Sequence, residues 1–207
     1  MKSMIKSLLA LTYRGDIPFI LNRGEIPAIL NARGLCGDGA EIGVKCGQFS
    51  ECILQHWKGR RLYAVDPWRE FSSEVYRDID NVSNAEQEKN FQITRRRLER
   101  FGTRADMLRM TSEEAARQIP DRSLDFVYLD ARHDYASVKE DIGLWYPKLK
   151  PGAVFAGHDY FNGVIKGTEF GVKRAVDEFA GPRGLRVRAT LREPQYKSWL
   201  ILVPTPA

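Results

Sequence analysis

Two histidines and three aspartates fall in two short stretches of the second half of the chain, Asp130, His133 and Asp134 in one and His158 and Asp159 in the other. Imidazole titrates close to working pH and can take a proton from an attacking group, while a carboxylate can orient it or ligate a hard divalent ion. The remaining histidine, His56, stands next to Trp57 on a helix and reads as structural. A second constellation lies earlier, in Glu41-Ile42-Gly43-Val44-Lys45-Cys46-Gly47. Its glycines allow a tight turn and close ligand approach, and the helix that follows offers free backbone N–H groups to a carboxylate or phosphate. Asp66 stands nineteen positions after Gly47, at the end of an apolar run. A carboxylate there accepts both hydroxyls of a ribose, so loop and acid together imply a nucleoside-containing ligand. Gly37, Gly39 and Gly43 imitate a dinucleotide fingerprint, but they precede and lie within the strand that the fingerprint must follow, which puts NAD second.

These residues are positioned by an alternation of short apolar runs with longer amphipathic ones, the sign of a parallel sheet covered by helices. Strands are expected over Ala40–Val44, Arg61–Asp66, Ala105–Met110, Leu124–Asp130 and Ala153–Ala156. Helices are expected from Gln48 to Trp57 with Phe49, Ile53 and Trp57 on one face, from Ala85 to Phe101 with Phe91, Leu98 and Phe101 inward, and from Gly171 to Phe179. Another carries Val138, Ile142, Trp145 and Leu149 at helical spacing and stops at Pro151-Gly152; within it Asp141 faces solvent or pairs with Lys139 or Lys148. The polar stretch up to Asn84 has no assignment. Leu185–Leu191 and Ser198–Val203 have no helix between them and read as an antiparallel hairpin with Pro194 in its connection. The fold class is therefore α/β, with a mostly parallel seven-stranded sheet whose last strand is antiparallel.

The 207 residues fit one domain, and 43% hydrophobic with 29% charged residues excludes wholesale disorder. A net charge of +5 with both signs interspersed permits acidic ligands without arguing for nucleic acid. Cys36, Cys46 and Cys52 form no CxxC pair, so neither a zinc site nor a disulfide framework is indicated. No signal peptide is read at the start and no window reaches the length of a membrane span, so a cytoplasmic protein without a membrane partner is expected. Arg95-Arg96-Arg97 and Arg100 read as a solvated helix face. The pieces Ile17–Ile20 and Ile26–Leu30 either lid the pocket or make a homodimer contact.

Glu41-Ile42-Gly43 through Gly47, Asp66 after Ala64-Val65, and Leu124 to Asp130 leading to His133-Asp134-Tyr135 resemble class I S-adenosylmethionine-dependent methyltransferases. Trp145-Tyr146-Pro147-Lys148-Leu149-Lys150-Pro151-Gly152 and Gly157-His158-Asp159-Tyr160 sharpen the resemblance to methyltransferase family 24, related to metal-dependent sugar O-methyltransferases, over roughly residues 34–180. It implies a single Rossmann-like domain, with residues 1–33 as an N-terminal helical lid and 34–207 as the core. It also implies that Glu41, Gly43 and Gly47 surround the methionine part of S-adenosylmethionine, that Asp66 binds its ribose, and that Asp130 borders the cofactor. Trp68 would lie against the adenine, bordered by Thr111 and Ser112, which read equally well as a helix cap.

The related sugar enzymes place Mg2+ on an acid after strand four and an acidic pair after strand five, which correspond here to Asp130, His158 and Asp159. His158 in place of an acid shifts preference toward a softer divalent metal or means that none is held. Without metal, His133 or His158 is the general base and Asp130 its partner. The expected reaction is methyl transfer to a hydroxyl of a small molecule such as a sugar, a phenol or a natural-product precursor. N- or carboxyl methylation without metal, and a non-catalytic nucleoside-binding protein, are the alternatives. Residues 1–33, 68–84 and 160–170 would build the acceptor pocket, with Trp68, Phe71, Tyr76, Tyr160 and Phe161 as its aromatic walls.

Overall fold

The computed structural model describes residues 17, 19–74, 76, 78, 80–193 and 196–205. What was expected of residues 1–16 and of Pro194 lies outside them. The elements run α1 (Ile26–Ala32), β1 (Asp38–Ile42), α2 (Gln48–His56), β2 (Arg61–Val65), α3 (Asn84–Leu98), β3 (Ala105–Leu108), α4 (Ser112–Gln118), β4 (Leu124–Leu129), α5 (Tyr135–Trp145), β5 (Leu149–Gly157), β6 (Gly163–Ile165), β7 (Thr168–Phe170), α6 (Val172–Ala180), β8 (Val187–Ala189) and β9 (Trp199–Leu202). Seven strands form one sheet in the order β3-β2-β1-β4-β5-β9-β8. Pairings from β3 to β5 are parallel, and β9 is antiparallel to both of its neighbours. The antiparallel strand is last in the chain, as expected, but it sits inside the sheet, between β5 and β8.

Alternation along the strands explains the two covering layers. In β4, Phe126 and Tyr128 face Ile26, Ile29 and Leu30 of α1 and Phe49, Ile53 and Leu54 of α2. Val127 and Leu129 face the other way, onto Ala115 of α4, Val138 and Ile142 of α5 and Val176 of α6. Each fully buried aliphatic or aromatic side chain contributes about 1.5–3 kcal/mol. Ile17 and Ile20 belong to the same core, and Leu191 and Arg192 donate backbone hydrogen bonds to Ile20 and Leu21. Ile17, Ile20, Ile26, Ile29 and Leu30 are thus core, because they have a sheet face to cover, while Phe19 stays exposed. Among the described residues no helix is long and apolar enough to cross a membrane.

Several elements differ from expectation, among them the helix expected to reach Phe101, which ends at Leu98, and the strand expected over Leu185–Leu191, which spans Val187–Ala189. Leu149 opens β5 instead of extending the helix, because Pro147 lacks an N–H and the chain leaves α5 through a short 3-10 turn, Tyr146–Lys148. Pro151-Gly152 does not end a helix but bulges β5: the register passes from Leu124–Leu149 to Phe126–Val154, and Gly152 takes φ 80°. The hairpin β6–β7 falls inside residues 160–170, where no strand is expected. Its signal is the Lys166-Gly167 turn, with both φ angles positive at 49° and 84°.

Arg104, just before β3, closes the C-terminal end of α2. Its guanidinium donates to the carbonyls of Leu54, Trp57 and Gly59 at 3.0, 2.6 and 3.1 Å, groups that a helix end leaves without internal partners. Arg104→Ala is expected to cost about 2 kcal/mol, read in urea denaturation as a lower midpoint with an unchanged slope.

Candidate active site

The crevice lies beyond the carboxyl ends of β1, β2 and β4, where strand order reverses between β1 and β4. Asp130 N donates to Ile42 O at 2.7 Å and Gly43 N to Val65 O at 2.9 Å, so the three strand exits are stitched together. A Cβ on Gly43 would lie 2.0 Å from the carbonyl oxygen of Asp130, and its φ is 87°; only glycine fits there. The cavity here measures about 280 Å³, and Gly43, Asp66, Thr111, Ser112 and Asp130 all line it.

Asp66 is the hub of the loop after β1. Its Oδ2 accepts from Val44 N and Lys45 N, both at 2.9 Å, and its Oδ1 from Trp68 N at 2.8 Å. Burial raises its pKa, and those three backbone hydrogen bonds oppose the rise. Trp68, expected against an adenine, is instead 1% exposed. Its indole packs on Phe91 and its Nε1 donates to Lys45 O at 2.8 Å. A large apolar ring with one N–H is best satisfied beneath the loop. Thr94 and Arg97 brace the same loop through Lys45 O and Cys46 O at 2.9 and 3.0 Å. Arg97 also pairs with Glu51, so one residue of the basic run is structural rather than solvated.

Glu41 is likewise set back from the cavity, and Gly47 is not part of its lining. Gly47 starts α2 in a left-handed conformation against Thr94. Glu41 is 2% exposed and its Oε2 accepts from Ser50. Burial pushes its carboxyl up to about 8 against the opposing Ser50 hydrogen bond. Thr111 caps α4 in a capping box with Glu114, as the helix-cap reading has it, and both Thr111 and Ser112 line the cavity. Asp141, expected at the surface, is 8% exposed and lines the cavity. It accepts from Ser112 Oγ, which in turn accepts from Trp145 Nε1. Burial pushes Asp141 up to about 6. Its position, three after Val138 and four before Trp145, places it on the buried face of α5.

The charged cluster converges as the strand ends require. His133 Nδ1 bonds Asp78 at 2.7 Å and its Nε2 bonds Asp159 at 3.0 Å. Burial disfavours a charged imidazole there, but the hydrogen bonds to Asp159 and Asp78 outweigh it and push His133 up to about 10. His158 Nδ1 lies 3.2 Å from Asp159 and 3.7 Å from Asp130. Asp159 is pushed up by burial but held well below the usual carboxylate range by the two histidines. Ligand atoms of Asp130, His133 and Asp159 lie within 4.8 Å of one another. The triple expected to hold metal was Asp130, His158 and Asp159; the converging triple here has His133, and His158 lies within 3.2 and 3.7 Å of the same two carboxylates.

Arg23 was not anticipated. Its guanidinium reaches Asp130 Oδ2 at 3.1 Å and lies over the ring of Phe49, while Arg23 N donates to Glu193 Oε1 at 2.9 Å. One arginine within the apolar stretch Ile17–Leu30 was its only signal. Asp78 had none, since the polar stretch before α3 has no periodicity.

The sequence pattern of methyltransferase family 24, described as a methyltransferase domain, matches residues 40–160. The chain belongs to this family of class I S-adenosylmethionine-dependent methyltransferases. An uncharacterized protein, y4gI of Sinorhizobium fredii, is 45% identical over 53 residues, which are 26% of this chain and 6% of that protein's length. Among solved structures, the fold is similar to the O-methyltransferase TomG from Streptomyces achromogenes, involved in tomaymycin synthesis and crystallised with its cofactor. The TM-score is 0.62 at 15% identity, covering 89% of this chain and 80% of that one. An rRNA methylase from Streptococcus thermophilus is similar with TM-score 0.55 at 13% identity, covering 98% and 95%. At these identities the likeness is one of fold.

The buried acid of this methyltransferase makes its stability depend on pH. Between the ordinary 4.5 and about 8, native Glu41 keeps a proton that the unfolded chain has lost. Its contribution therefore falls as pH rises through that window, by up to about 1.4 kcal/mol per pH unit. Urea denaturation of Glu41→Gln is expected to show a flatter profile, with the variant gaining on the wild type from pH 5 to pH 8. Parallel profiles would mean that Glu41 is ionised in the native protein.

Proposed function

We propose that this methyltransferase moves the methyl group of S-adenosylmethionine to a hydroxyl of a small molecule, at the Asp130, His133, His158 and Asp159 cluster. The cofactor brings a methyl group on a sulfonium centre. The cavity suits it: Asp66 at the β2 end for the ribose hydroxyls, the open Gly43 loop for the methionine end, and Thr111, Ser112 and Leu144 around the base. Asp141 and Ser112 supply polar groups at that base end.

The observation that carries the hydroxyl reading is the convergence of Asp130, His133 and Asp159 beside this cavity. The set fits a divalent cation, with two carboxylates and one imidazole as donors and the second nitrogen of that imidazole held by Asp78. Bound there, a divalent cation supplies a Lewis acid that acidifies an acceptor hydroxyl. Arg23 engages Asp130 Oδ2, so Oδ1 is the oxygen that can turn to a ligand. His158 keeps Nδ1 on the carboxylates, which leaves Nε2 to take the acceptor's proton.

The Arg23–Asp130 pair favours a second, metal-free route. In that route Arg23 and His133 supply the positive charge, and His158 alone removes the proton.

Calorimetric titration with S-adenosylhomocysteine is expected to show binding that weakens roughly a hundredfold in Asp66→Ala, the loss of two charge-assisted hydrogen bonds. Binding of NAD in its place would overturn the cofactor reading. Mn2+ titration followed by electron paramagnetic resonance is expected to show a bound ion that is lost in His133→Ala and Asp159→Asn and kept in His158→Ala. If the wild type holds no Mn2+, the metal-free route stands, and His158→Ala should then lower kcat by roughly 10²–10⁴ while sparing S-adenosylhomocysteine binding.

A further inference from the structure

Arg23 reaches Asp130 from outside the strand exits, on a backbone that is fixed from both sides. Ile20 and Ile26 flank it in the core at 1% and 0% exposure. Asn22 caps the 3-10 turn Arg23–Glu25 by accepting from Gly24 N at 2.9 Å. Arg23 N donates to Glu193 Oε1 at 2.9 Å, and the carbonyls of Ile20 and Leu21 accept from Leu191 N and Arg192 N. The movable part is therefore the guanidinium on its long stem. The side chains of Arg23 and Asp130 are 33% and 22% exposed, so water and a dissolved ion reach their contact. Those of His133 and Asp159 are 10% and 8% exposed, and this part of the cluster is more closed.

Two claims meet on Asp130. Its Oδ2 accepts from Arg23 Nη1 at 3.1 Å, and its carboxylate also converges with His133 and Asp159, whose ligand atoms lie within 4.8 Å of its own. An ion held by those three residues brings a double positive charge close to the guanidinium. Like charges a few ångströms apart repel strongly even near a protein surface. A guanidinium cannot relieve that repulsion by giving up its proton, so it relieves it by moving. Phe49 gives it somewhere to stay, since the ring lies 4.9 Å from the guanidinium carbon and attracts a cation whether or not Asp130 is engaged.

We propose that Arg23 competes with a divalent cation for Asp130. The arginine neutralises this carboxylate when no ion is bound, yields Oδ2 when an ion enters, and so sets how tightly the site holds it. The inference rests on the metal-assisted reading above and adds to it the residue that tunes the affinity. The coupling is reciprocal: by as much as Arg23 weakens the ion, the ion weakens the hold of Asp130 on Arg23. The turn Arg23–Glu25 thereby becomes part of the metal site without supplying a ligand to it.

The test is Mn2+ titration, followed by electron paramagnetic resonance, of the full chain saturated with S-adenosylhomocysteine. The wild type is compared with Arg23→Gln and Arg23→Met, which remove the charge, and with Arg23→Lys, which keeps it. The first two are expected to bind Mn2+ at least about tenfold more tightly than the wild type, and Arg23→Lys to stay within about threefold of it. In an Asp130→Asn background Arg23→Gln is expected to change the affinity by less than about twofold, because the contested carboxylate is gone. Retained S-adenosylhomocysteine binding in each variant shows that the fold is intact. Unchanged or weaker Mn2+ binding in both uncharged variants, an equal gain in Arg23→Lys, or a gain that persists without the Asp130 carboxylate would each overturn the competition and leave the metal site standing. Mn2+ binding to none of the chains would overturn it together with the metal-assisted reading. Failure of S-adenosylhomocysteine to bind the wild type would instead remove the methyltransferase reading beneath both.

Discussion

The close approach of two strand exits sets up everything else. Where β1 and β4 leave the sheet side by side, the backbone of Asp130 passes so near Gly43 that a Cβ there would sit 2.0 Å from the Asp130 carbonyl oxygen. That proximity brings the loop after β1, which faces the cavity at the strand ends, within reach of the carboxylate after β4, which faces the cluster of histidines and acids. It exists because parallel strands with crossover helices leave their carboxyl ends in one plane, with the crevice where the order reverses.

Around that point the protein gathers more buried charge than a core of this size tolerates alone, and it manages the cost by pairing. Asp78 and Asp159 are each within reach of His133, and Asp130 of Arg23, cations supplied from different parts of the chain. Unpaired, any of these carboxylates would be protonated or would destabilise the fold. Glu41 shows the other outcome. With the Ser50 hydroxyl as its hydrogen-bond donor among the described residues, it keeps its proton well into the neutral range. The same low-dielectric surroundings therefore hold one acid neutral and another strongly ionised, according to partner geometry.

The loop after β1 that faces this cavity is held from behind. Trp68, Thr94 and Arg97 all spend their hydrogen bonds on its carbonyls, while Asp66 holds its amides. The bracing residues come from the segment after β2 and from α3, so the geometry of the loop is fixed by residues of which only Asp66 is part of the cavity wall. A rigid loop with its amides oriented in advance lowers the entropy cost of binding.

Much of this was written in the sequence because it rests on local periodicity. The apolar runs and helical stripes place the strands and helices within a few residues, and glycine with acid at strand ends marks the crevice, since strand exits in a parallel sheet must share one edge. What failed to show were residues whose role depends on partners far along the chain. Arg23 meets Asp130 across 107 positions, Asp78 meets His133 across 55, and no spacing rule connects them. Trp68 and Glu41 sit at positions that suggest a ligand, yet their surroundings turn them inward, because a ring with one N–H and a carboxyl with one donor are satisfied beneath the loop. Asp141 lay between: its helical spacing already put it on the buried face, but only the packing of α5 against α4 gave it Ser112 and a place in the wall. The sequence by itself determined the order of elements and the edge where chemistry gathers. The tertiary structure decided which charges pair, because pairing in a low dielectric depends on distance in space and not along the chain.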